Sequence, residues 1–132
     1  MSTIHGASWE AIAAFREKPA ALAVYWIYCA RVNRDNVAWP SLRGLAKNTG
    51  WSVSACQEAR KWLVAHGALE QVADYTRPQW RTVPDKRRAE LQNLDRAEYY
   101  RPTGYIEFAG RFDLLYIPGK DAQVIPSVDA ST

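Results

Sequence analysis

Few residues in this chain of 132 have the type and spacing for covalent or metal chemistry. His5 and His66 are the only histidines, and neither has a cysteine or carboxylate neighbour at metal-ligand spacing, so no metal site is expected. Cys29 and Cys56 sit within apolar helical patterns, without the local signature of a nucleophile, and are expected as reduced, buried thiols. Neither a Gly-x-x-x-x-Gly-Lys-Ser/Thr loop nor a Gly-x-Gly-x-x-Gly turn occurs, and the carboxylate pairs Glu70 with Asp74 and Asp95 with Glu98 fit surface elements. Neither an enzyme nor a cofactor is expected. What remains is electrostatics. The formal net charge is +3, but residues 31–66 alone carry +4 and residues 102–132 carry −2. The total is too mild to imply a nucleic-acid partner, so the clustering of cations has to decide.

Those cations need a scaffold. With 48% hydrophobic residues, six Trp and seven Tyr, the chain can bury a core, and its length suits one domain over residues 1–117 with a tail at 118–132. The longest apolar stretch, Ala20 to Ala30, is too short to span a bilayer, and Met1 to Ser8 lacks the pattern of an export signal. A cytoplasmic protein with no membrane partner is expected.

Ser8 caps a short helix running to Lys18, and Pro19 opens a second in which Leu22, Tyr25, Trp26 and Cys29 recur at helical spacing. Val24, Ile27 and Tyr28 widen its apolar surface, which predicts a largely buried helix. Asn33-Arg34-Asp35-Asn36 signals a turn, and Val37-Ala38-Trp39 a short edge strand before Pro40. Ser41 caps a third helix with Leu42, Leu45 and Ala46 as its apolar face, ended by Thr49-Gly50. Ser52 caps a fourth, with Cys56, Ala59, Trp62 and Leu63 inward and His66-Gly67 at its end. Leu69 to Tyr75 reads as a strand, and Thr103 to Ala109 with Phe112 to Ile117 as a hairpin about Gly110. Between them lie the run Lys86-Arg87-Arg88 and a helical segment reaching Tyr99.

A short helix, a Gly-containing turn of about three residues and a longer helix make a helix-turn-helix arrangement. Trp39-Pro40-Ser41-Leu42, Leu45-Ala46, Gly50-Trp51-Ser52, Cys56, Leu63 and Gly67-Ala68-Leu69 resemble the winged helix-turn-helix domains of phage, plasmid and bacterial DNA-binding proteins. Replication-initiator-like proteins and transcription regulators are among them. The spacing matches without a gap from Leu45 to Leu69, and more loosely from Pro19 to Tyr75 and over Phe112 to Ile117. The resemblance implies an α+β, mostly helical fold: a helix-turn-helix core at 41–67, a small antiparallel sheet, and an insertion in the wing at about 76–102. Arg60 and Trp62 depart from the pattern, standing where an aliphatic and a polar or basic residue are usual.

In such a motif the first residues of the second helix, and those one turn later, face base edges, which names Val53, Ser54, Gln57, Glu58 and Lys61. Gln57 suits adenine, and Glu58 can accept from cytosine. Arg43, Lys47, Asn48, Thr49 and Ser52 are expected at phosphates from the turn, and Arg77, Arg81, Lys86, Arg87 and Arg88 from the extended wing. Duplex DNA is the expected partner. The expected role is transcription regulation or replication initiation for a phage or mobile element, in a bacterial or phage-infected cell; a homodimer rests on family analogy alone. The alternative is a protein-interaction module of the same fold that binds a partner protein, or itself, through Trp62, Trp80 and the inserted helix.

Overall fold

Caps lay down the helical half of the chain. The structure, a computed structural model, describes residues 13–108 and 111–114. His5, the start of the helix expected from Ser8, the turn at Gly110 and the segment 118–132 lie outside them. Ala13 and Ala14 are helical, and the Arg16, Glu17 and Lys18 N–H groups donate back to Ala13, Ala14 and Phe15. Helix α1 (Pro19–Arg31) opens on Pro19, whose fixed φ suits the first helical position and whose missing N–H costs no bond there. Helix α2 (Leu42–Thr49) starts where the Ser41 hydroxyl accepts from the Gly44 N–H at 3.0 Å, and α3 (Val53–Ala65) where Ser52 does the same for Ala55 at 3.0 Å. Each cap contributes about 1 kcal/mol. Gly50, at φ 84°, closes α2 in the left-handed region that disfavours any residue with a Cβ. At the end of α3 the Gly67 N–H donates to Val64 and the Ala68 N–H to Leu63, the paired bonds of a Schellman end. The turn between α2 and α3 is therefore Gly50 to Ser52.

Strand β1 (Leu69–Gln71) pairs antiparallel with β2 (Tyr100–Pro102), placing Glu70 opposite Arg101. Strand β3 (Tyr105–Phe108) pairs antiparallel with β4 (Arg111–Leu114), with Ile106 opposite Asp113. A single bridge joins Ala38 to Tyr100 on the free edge of β2. The described chain is thus α+β and mostly helical, with two small antiparallel sheets. The core lies where α1 packs on α3. Cys29, Leu45, Cys56, Ala59, Leu63 and Ile106 are fully buried there, and both cysteines are free thiols. No helix among the described residues is long and apolar enough to cross a membrane.

Several elements differ from what the sequence predicts. The strand from Leu69 stops at Gln71, and Asp74, at φ 54°, turns the chain before Tyr75. Its partner is Tyr100–Pro102, so the loop between paired strands runs over residues 72–99, and among the described residues β3 and β4 form a sheet of their own. The inserted helix α4 (Asp85–Leu94) ends at Leu94 because Asp95 is extended, its carboxylate accepting from the Ala97 N–H at 3.0 Å. A 3-10 turn at Pro78–Trp80 precedes that helix, and Val37 to Trp39 supplies one bridge rather than a strand. On α1, Ala21, Val24, Tyr25, Tyr28 and Cys29 are buried while Leu22 and Trp26 are 42% and 54% exposed. A helix apolar on nearly all sides has no periodicity with which to choose a face. Tertiary bonds choose it, among them the Gly104 N–H donating to the Tyr25 hydroxyl at 3.2 Å.

Candidate nucleic-acid interface

Burial fixes how α3 is turned. Cys56, Ala59 and Leu63 point into the core, so the positions between them point out, and Val53, Ser54, Gln57, Glu58 and Lys61 are all exposed along the helix. All five residues expected at base edges therefore share one surface. A groove of about 360 Å³ runs beside it, lined by Gln57, Lys61, Val64, Gln71, Glu98 and Tyr100 among others. On α2, Arg43 and Lys47 are exposed and form no ion pair among the described residues. They are the only charged residues from Ser41 to Gln57.

The polar residues at the turn are partly consumed by it. The Thr49 hydroxyl donates to the Leu45 carbonyl at 2.7 Å and accepts from the Trp51 N–H at 3.2 Å, so its one proton is spent. Thr49 therefore shapes the turn, and of the residues expected at phosphates it is the one whose hydroxyl proton is used inside the fold. Asn48 donates to the Gly44 carbonyl at 3.0 Å and keeps a second amide proton, and Ser52 accepts from Ala55 while keeping its hydroxyl proton.

The cations of the 72–99 loop do not form one exposed comb. Arg77 donates to the Tyr99 hydroxyl at 2.7 Å and pairs with Asp95 at 3.2 Å, and its guanidinium lies 4.8 Å and 5.0 Å from the rings of Trp80 and Trp39. Arg81 pairs with Asp35 at 2.8 Å and donates to the Thr76 carbonyl. Arg88 pairs with Asp85 and donates to the Val83 carbonyl. Of these three, expected at phosphates, Arg77 and Arg81 tie the loop to Trp39 and Asp35, and Arg88 braces the loop within itself. Arg87 forms an exposed pair with Glu90 at 3.2 Å, worth little in water, and Lys86 is exposed without an ion pair among the described residues. Trp62 is half-buried against Phe15 and His66, with centroids 5.5 Å and 4.3 Å away, and Trp80 is half-buried against Arg77. Both indoles are thus partly engaged within the fold.

Two networks lie beyond what the sequence pattern reveals. In the first, Tyr75 donates to Asp35 at 2.7 Å and accepts from Asn33 at 2.7 Å, with Trp39 and Tyr99 packed beside it. Hydrogen bonding from Tyr75 and then the Arg81 guanidinium hold the Asp35 carboxyl below the usual carboxylate range. Burial pulls Asp95 upward, but hydrogen bonds from Tyr99 and the Ala97 N–H, with the charge of Arg77, outweigh it and leave Asp95 lowered. The second network explains Arg60: its guanidinium pairs with Glu98 at 3.1 Å and lies 5.1 Å from the Tyr100 ring, tying α3 to β2. Burial and the hydrogen bond to Glu98 push the Tyr100 hydroxyl up to about 12. His66, also a helix-end residue, ties α3 to β3: its carbonyl accepts from the Glu107 N–H at 2.7 Å, and its Nδ1 lies 2.7 Å from the Glu107 carbonyl. Among the described residues no group of three His, Cys, Asp or Glu side chains can hold a metal ion. Comparison with protein-family models, curated proteins and solved structures returns no match.

Proposed function

We propose that the chain binds duplex DNA as a winged helix-turn-helix domain and acts in the bacterial cytoplasm as a transcription regulator or replication-initiation factor of a phage or mobile element. One observation carries this reading: α3 turns Val53, Ser54, Gln57, Glu58 and Lys61 outward, and the helix before it exposes two cations, Arg43 and Lys47, that form no ion pair among the described residues, with no acid from Ser41 to Gln57. The three-residue turn supports α3 as a recognition helix, and the β1–β2 pair with residues 72–99 between its strands supports an enlarged wing. With α3 in a major groove, Gln57 pairs with an adenine edge, Glu58 accepts from a cytosine amino group, Ser54 permits close approach, and Val53 meets a thymine methyl. Lys61 reads from the next turn. A good bidentate contact discriminates by about 1–3 kcal/mol. Arg43 and Lys47, with protons left on Asn48 and Ser52, meet phosphates; Lys86 and Arg87 extend that contact from the wing.

The alternative, a module for binding protein, draws on Trp62, Trp80 and the inserted helix; both indoles are engaged within the fold, while the helix, with Leu94 72% exposed, is the part left to such a contact. The DNA reading is tested by titrating random-sequence duplex with the full chain over a salt series, alongside the double variant Arg43→Ala, Lys47→Ala. Each neutralised phosphate adds about 0.9 to the slope of log affinity against log salt. The variant is expected to weaken binding and flatten that slope by nearly two. Absence of binding by the parent protein at low salt contradicts the proposal.

A further inference from the structure

A second groove, of about 610 Å³, opens between the start of α2 and the stretch leading into β2. Trp39, Pro40 and Leu42 give it an apolar wall, and four arginines and two carboxylates supply its charge. Both carboxylates are already answered from within, Glu98 by Arg60 at 3.1 Å and Asp95 by Arg77 at 3.2 Å. The other two arginines, Arg43 and Arg96, form no ion pair among the described residues, although the charge of Arg96 helps to lower Asp95. Arg96 donates to the carbonyls of Asn93 at 3.0 Å and Asp95 at 3.4 Å, which position its guanidinium without cancelling its charge. The groove adjoins the one beside Gln57 and Lys61 on α3, the Arg60–Glu98 pair lining both.

We infer that this groove seats a sugar-phosphate strand of the duplex, with Arg43 and Arg96 on its phosphates and Trp39, Pro40 and Leu42 against its deoxyribose. The inference rests on the DNA-binding reading above. A chain that alternates anionic phosphate with apolar sugar matches a groove that sets these two guanidinium groups beside an apolar wall. When a recognition helix occupies a major groove, the helix before it crosses the flanking backbone, and this groove lies at the start of that preceding helix, next to the groove beside α3. Arg96 thereby supplies, from the wing, the phosphate contact that Arg77 and Arg88 do not.

The test uses the full chain on random-sequence duplex over a salt series, comparing Arg96→Ala, Arg96→Gln and Arg16→Ala. Arg96→Gln removes the charge but keeps a donor for the two carbonyls, which guards against a folding defect in the alanine variant; Arg16 is an exposed cation remote in sequence from the groove. Both Arg96 variants are expected to flatten the salt slope by about 0.9 and to weaken binding about tenfold at low salt, with Arg16→Ala unchanged. If the parent binds DNA and the Arg96 variants keep its slope, or Arg16→Ala loses as much, the inference falls and the DNA reading stands. If the parent binds no DNA, both fall.

Discussion

Arg77 and Arg43 carry the same charge into opposite roles. Arg77 is held between indoles and bonded to Tyr99 and Asp95, with only 22% of its side chain exposed, whereas Arg43 reaches solvent from α2. Removing Arg77 leaves the carboxylate of Asp95, itself 14% exposed, without its cation. Asp95 keeps its bonds from Tyr99 and Ala97, and loss of a charge-assisted partner from such a partly exposed pair costs about 1–2 kcal/mol. Arg77→Ala is accordingly expected to lower the denaturant midpoint while leaving the salt slope of DNA binding unchanged. An intact midpoint with a flattened slope would return Arg77 to the phosphate contacts. No local spacing separates the two arginines, because Asp95 and Trp39 lie far from Arg77 in the chain and only the fold brings them to it.

At the scale of elements, what the sequence shows is local chemistry. Ser41, Gly50, Ser52 and Gly67 mark the ends of α2 and α3, since a cap or a left-handed residue acts within three or four positions. The outward row of α3 was legible for the same reason: Cys56, Ala59 and Leu63 declare the inward side at helical spacing. The orientation of α1 was not legible, because an apolar residue stands at nearly every position from Ala20 to Ala30. Nor was the β1–β2 pairing, which joins segments separated by the whole 72–99 loop and has only three residues a side to signal it. The role proposed for Arg96 is not legible in the sequence either, because it depends on the carboxylates that Arg60 and Arg77 pair with around it.

For the whole molecule, opposing pKa shifts bound the range of stability. Asp35 and Asp95 are lowered, so the stability they add is present above about pH 4 and is lost as the pH falls below it. Burial pushes the Cys29 thiol up to about 12, and Tyr100 is likewise raised to about 12. Their contributions are whole below the unfolded values, about 8.5 for a thiol and 10 for a tyrosine, and are lost as the pH climbs toward 12. The thermal midpoint is expected to be flat from about pH 5 to 8 and to fall on both sides; a midpoint that rises above pH 9 would contradict the buried placement of these groups. The proposed function requires α3 to read base edges. Selection of bound duplexes from a random library, by the parent protein and by the double variant Gln57→Ala, Glu58→Ala, measures this. The parent is expected to enrich a defined motif, and the variant to bind with a similar salt slope but with preference relaxed at the adenine and cytosine positions. Enrichment of no motif by the parent, or of the same motif by both proteins, would contradict the proposal.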